Sequence, residues 1–137
     1  MKYLLDTNIL LRLIEINHPQ HKEAVEALKK LHRSGFLFYI LLQNVSEFWN
    51  VCTSPTDKNG LGLSIAKTDS HLKRFERLFI LLPDTAEIYK NWRELVVKHS
   101  SGIKVHDAKI VAAMKVCNIE NRLTFNAKDS IPYKAKR

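Results

Sequence analysis

Residues 3–8 read Tyr-Leu-Leu-Asp-Thr-Asn, and Ile9-Leu10-Leu11 follow at once. An apolar run of strand length that breaks into a carboxylate, a hydroxyl and an amide before apolar residues resume is the pattern of a buried strand handing over to a helix. Asp6 stands at that junction. It is either the cap of the following helix, because Asp is a favoured N-cap, or a ligand set at the mouth of the strand. The rest of the chain has to decide between the two.

The same alternation continues outward. Residues 2–5 form the first predicted strand and 7–15 a helix with Leu10, Leu11 and Ile14 on one side. Asn17-His18-Pro19 breaks it, and a second helix over about 20–33 ends at Gly35. The aromatic run FLFYILL (36–42) reads as a second strand, and QNVSEFWNVCT as a helix that stops at Ser54-Pro55. Residues 56–64, with an Asn-Gly pair, form a loop, and Ser64 caps a helix reaching about Phe79. A third strand spans 80–84, a helix 86–99, another helix 104–117, and RLTF (122–125) the fourth strand. Strands alternating with helices through short connections predict an α/β three-layer sandwich: one domain over 1–137, with a central parallel sheet of four to five strands flanked by helices. In such sheets ligands bind outside the carboxyl ends of the strands.

Composition narrows the function. Lys plus Arg number 22 against 14 Asp plus Glu, a net charge of +8 that favours a polyanionic partner. No apolar segment is long enough to span a membrane, and Asp6 interrupts the first apolar run too early for a secretory signal, so a cytoplasmic protein is expected. Cys52 and Cys117 lie in apolar helical patterns and read as reduced, packed thiols. His18 and His21 have no acidic or Cys cluster beside them and read as a solvated helix start. Trp49 and Trp92 fall on helical stripes and read as core or dimer contacts. His106, beside Asp107, reads as packing. Arg12, Lys58 and Lys134 to Arg137 are candidate phosphate contacts.

Four acids follow strand ends or open helices: Asp6, Glu47, Asp107 and Asp129. Singly, each has a plain structural role. Glu47 has capping-box spacing from Asn44, Asp107 suits the dipole of a first helical turn, and Asp129 suits a turn. Together they fall where a parallel sheet gathers strand C-termini and helix N-termini. Converging carboxylates repel unless a cation sits between them, and hard oxygen ligands select Mg²⁺ or Mn²⁺. Such an ion in a basic protein suits phosphodiester hydrolysis.

LLDTNIL, SEF, HDAKIVAAM and LTFNAKD, in that order, resemble the four motifs of the PIN-domain ribonucleases, and the subgroup they resemble is the VapC-like toxins of toxin–antitoxin pairs. The likeness runs from Tyr3 to about Asp129. It implies a Mg²⁺- or Mn²⁺-dependent endoribonuclease acting on RNA, with Asp6, Glu47 and Asp107 as metal ligands. Asp129 is then the fourth catalytic acid, and Thr7, Asn8 and Asn126 are supporting residues. The family often carries an acid or Asn after the fourth strand and an Asp-Phe pair three residues on; here those places hold Asn126, Asp129 and Ser130. A cognate antitoxin and a homodimer are also implied by the resemblance. The rival readings are an RNA-binding module of the same fold without catalysis, and a phospho-accepting receiver-like domain. The first strand offers Asp6 alone, without the paired acids a receiver needs.

Overall fold

The computed structural model describes residues 1–99 and 104–125. The described elements are, in order, β1 (Lys2–Leu5), α1 (Thr7–Ile14), α2 (His21–Arg33), β2 (Leu37–Leu41), α3 (Leu42–Thr53), α4 (Ile65–Leu78), β3 (Ile80–Leu82), α5 (Ala86–Lys98), α6 (Val105–Val116) and β4 (Asn121–Leu123). The four strands form one parallel sheet in the order β3-β2-β1-β4. The chain therefore winds one way from β1 to β3 and then returns to the other side of β1. The switch point of the sheet lies between β1 and β4, and Asp6 follows directly from β1 there.

Side-chain alternation along the strands divides the interior into two cores. Leu5, Phe38 and Ile40 face one layer with Ile9, Leu10, Phe48, Cys52, Phe75 and Phe79, where α1, α3 and α4 pack. Phe75 is the hub, with ring centroids 5.1 Å from Phe48 and 5.6 Å from Phe79. Leu4 and Leu41 face the other layer, with Ile88, Ile110, Ala112, Ala113 and Ile119 of the α5–α6 side. The three-layer expectation holds. Helix α6 brings small side chains inward, with Ala108 and Ala112 at 0% exposure, so it lies close against its neighbours.

The boundaries shift where side chains intervene. Strand β2 stops at Leu41 and α3 starts with no linker, because the Asn44 side chain accepts the Leu41 N–H at 2.9 Å and so closes the first helical turn. Asn44 thus caps backward three residues, and the predicted bond from Glu47 to Asn44 is not needed. Strand β4 covers 121–123 and ends earlier than predicted, since the Phe125 N–H leaves the ladder to reach Asn8 Oδ1 at 3.3 Å. Helix α2 ends as its sequence predicts. Gly35, at φ +87°, lets the Phe36 N–H return to Leu31 O and its own N–H to His32 O.

The two thiols differ. Cys52 is fully buried, and burial, with a smaller contribution from the Glu15 charge, pushes its pKa up to about 11. Cys117 is half-buried, and both cysteines are free. Native protein at pH 8 should therefore take up alkylating agent at Cys117 well before Cys52, as mass spectrometry would read; equal labelling rates would contradict this core. Replacing Phe48 by Ala should lower unfolding free energy by about 3–5 kcal/mol, measured by denaturant titration.

Candidate active site

Asp6 occupies the N-cap position of α1, yet its side chain makes no capping bond. The helix start is satisfied by its backbone carbonyl, which accepts the N–H groups of Ile9 at 3.1 Å and Leu10 at 3.4 Å. The carboxylate is released for another use. It lies 2.8 Å from Arg122 Nε, with side-chain exposures of 8% for Asp6 and 10% for Arg122. A charge so far out of water persists only with a partner, and here each supplies the other's.

Arg122 reaches a second acid. Its Nη2 lies 3.9 Å from Oδ1 of Asp107, which projects from the first turn of α6. Asp6 and Asp107, which come from opposite ends of the chain, therefore converge on one cation at the sheet's switch point.

Glu47 approaches through a hydroxyl. Thr7 Oγ1 donates to Glu47 Oε1 at 2.6 Å, and Asn44 Nδ2 in turn donates to Thr7 Oγ1 at 3.3 Å. The fully buried Asn44 thus fixes both the start of α3 and the orientation of Thr7. Gln43 Nε2 donates to Glu47 Oε2 at 3.3 Å. Among the described residues, Gln43 Oε1 is the one buried side-chain polar atom without a hydrogen-bond partner. An unspent buried acceptor calls for a donor such as water or a ligand. Beside it opens a groove of about 380 Å³ lined by Leu42, Gln43, Ser46, Trp92, His106 and Lys109, among others.

The supporting residues are also placed. Asn8 Nδ2 donates to Thr124 Oγ1 at 3.2 Å and its Oδ1 accepts the Phe125 N–H, tying the turn after β1 to the end of β4. Asn126 and Asp129 lie outside the described residues, as does the basic tail from Lys134 to Arg137. The His18 and His21 rings serve the backbone: His18 Nδ1 accepts the Gln20 N–H at 3.0 Å, and His21 Nδ1 lies 2.8 Å from Arg12 O. Arg12 is engaged with Glu15 at 2.7 Å and Gln20 at 3.1 Å, which takes it away from a phosphate role. Trp92 Nε1 donates to Val105 O at 3.0 Å, so the ring braces α5 against α6. His106 is exposed on the groove wall.

Sequence reading missed Arg122 and Gln43. Arg122 carried a signal, because a cation inside a strand of a two-sided parallel sheet requires a buried partner. Gln43 had none beyond its spacing of four from Glu47.

Two carboxylates, those of Asp6 and Asp107, are gathered on one guanidinium, and carboxylate oxygen is the donor type that a hard divalent ion takes. No group of three or more His, Cys, Asp or Glu side chains among the described residues stands close enough to hold a metal. The two aspartates converge; Glu47 adjoins them through Thr7.

Comparison with known proteins gives the family and the fold. The family model described as "PIN domain" matches residues 3–131, and the chain belongs to that family. It has the fold of VapC-like toxins. VapC20 of Mycobacterium tuberculosis, described as a sarcin-ricin-loop-cleaving toxin, superposes with a TM-score of 0.67 at 17% identity, over 95% of this chain and 94% of that one. VapBC2 of Rickettsia felis, bound to a promoter DNA fragment, gives 0.65 at 19% identity, over 97% and 93%. A toxin–antitoxin complex from Klebsiella pneumoniae gives 0.63 at 22% identity, over 93% and 89%. No match was found among curated proteins.

Replacing Asn44 by Ala strands the buried Leu41 N–H and removes a donor from Thr7. Unfolding free energy should fall by about 1–3 kcal/mol, checked by denaturant titration followed through tryptophan fluorescence.

Proposed function

We propose that this chain is a divalent-metal-dependent endoribonuclease and the toxin of a toxin–antitoxin pair. The observation that carries this reading is the convergence of Asp6 and Asp107 on one cation at the switch point between β1 and β4. Mg²⁺ or Mn²⁺, when bound, supplies an acidified water and neutralises charge on the scissile phosphate. Asp6, Asp107 and Glu47 are the residues that would hold the ion, with Asp129 or Asn126 completing the set. Thr7 and Gln43 each donate to one oxygen of Glu47 and so fix its carboxylate in a single orientation. Gln43 Oε1 remains able to accept a hydrogen bond from water or a ribose hydroxyl. The groove along α3, α5 and α6 opens beside Gln43 and is lined also by His106 and by Lys109, which is paired with Asp84 at 2.9 Å on the same wall.

Support for the toxin role comes from the neighbours. One cleaves the sarcin-ricin loop and another is a toxin–antitoxin complex, which suits an RNA substrate and a cognate antitoxin here. A homodimer and a cytoplasmic site of action belong to the same proposal. No helix among the described residues is long and apolar enough to cross a membrane.

A second reading is an RNA-binding module without catalysis. It is favoured by one observation: Arg122 already pairs with both aspartates, at 2.8 Å and 3.9 Å. Calorimetric titration with Mn²⁺ separates the two, because the binding module shows no site at millimolar metal.

Replacing Asp6 by Asn should lower Mn²⁺-dependent RNA cleavage by more than about a hundredfold while a cooperative melting transition remains. Expression of the wild type should arrest growth and expression of D6N should not. Undiminished cleavage by D6N overturns the assignment.

A further inference from the structure

Arg122 stands on an edge strand where the pleat asks for an apolar residue. In the ladder with β1, Asn121 pairs with Tyr3, Arg122 with Leu4 and Leu123 with Leu5. Leu123 packs with Leu5 into the α1–α3–α4 core, whereas Leu4 faces the α5–α6 layer. By alternation Arg122 also points to the α5–α6 layer, as does Asp6, which follows Leu5 by one residue. Its guanidinium is therefore withdrawn from water on the face that α6 covers, with Asp6 at 2.8 Å and Asp107 at 3.9 Å.

A guanidinium held this way uses what a metal would need. A Mg²⁺ or Mn²⁺ ion takes carboxylate oxygens at about 2.0–2.2 Å. An Arg122 nitrogen already stands 2.8 Å from Asp6 Oδ1. Two cations cannot share that oxygen and its desolvated surroundings without strong repulsion. We infer that Arg122 is the resident cation of the acidic site, and that a divalent ion binds only by displacing its guanidinium from Asp6. The inference rests on the metal-dependent reading above and extends it to the regulation of that site. Arg122 is then a positioning residue that keeps the acids folded together without metal and sets a threshold for metal entry. Linkage makes the effect reciprocal: whatever stabilisation the pair gives to the metal-free chain is subtracted from metal affinity.

The test is Mn²⁺ binding by the full-length chain, followed by calorimetry and by the metal-dependent rise in melting temperature. Arg122→Met should bind Mn²⁺ about 10–100-fold more tightly than wild type. It should also melt lower than wild type without metal and gain more from added Mn²⁺. The double variant D6N/R122M should lose the tight site. Should R122M fail to fold without metal, Arg122→Gln carries the same comparison, since it removes the charge but keeps a hydrogen-bond donor for Asp6. Tighter binding by R122Q than by wild type supports the inference, and equal binding overturns it. If wild type and R122M bind Mn²⁺ equally, the resident-cation role falls while the metal-dependent reading stands. If neither binds, both fall. If D6N/R122M keeps the tight site, the ion is not at Asp6 and the inference is overturned.

Discussion

A carboxylate with 8% side-chain exposure at the end of a central strand is an expensive thing to fold, and much of this molecule is arranged around it. Asp6 is held by the ladder beneath it, where its N–H bonds Leu123 O at 3.1 Å, and by the helix above it, whose first N–H groups its carbonyl accepts. Its charge is balanced from β4 by Arg122. Two segments distant in sequence, β1 and β4, must therefore assemble before that charge is satisfied, and the first turn of α6 brings Asp107 to the same guanidinium. The acidic centre and the fold share one interaction.

From that constraint the remaining polar groups fall into order. Thr7 hangs from the same turn and orients Glu47, Asn44 orients Thr7, and Gln43 steadies Glu47 from the far side. Asn8 fastens the turn to the end of β4. The network joins the strand that carries Asp6 to the helix that carries Glu47 with no long or floppy side chain between them. For the function proposed above, such preorganisation matters, because side chains that are already oriented spend little entropy when a ligand arrives.

Much of this was legible in the sequence. The opening stretch, with its apolar run broken by Asp-Thr-Asn, gave the strand-to-helix handover, and the repeated alternation of strands and helices gave the parallel sheet. The choice between cap and ligand for Asp6 was not decidable locally. Its resolution depends on the backbone carbonyl doing the capping and on a guanidinium from β4, neither of which leaves a mark near residue 6. The capping-box spacing at Asn44 and Glu47 is a real signal three residues out of register: Asn44 bonds backward to Leu41, and Glu47 accepts from Thr7 and Gln43 instead of capping. Arg122 left the mark of a cation inside a strand but not of its partner, because the pleat that turns it toward Asp6 is set by pairing with β1.

Helix α6 adds a different kind of control. Its buried side combines Ile110 and Val111 with the methyl groups of Ala108, Ala112 and Ala113, each of the three at most 1% exposed, and the small residues let the helix approach its neighbours closely. Asp107 sits on the same rod, directly before Ala108. The placing of Asp107 beside Arg122 therefore depends in part on how closely those small residues let α6 pack. Bulkier residues at those places would act as shims, lifting one carboxylate away from the other while leaving every acid in the chain untouched.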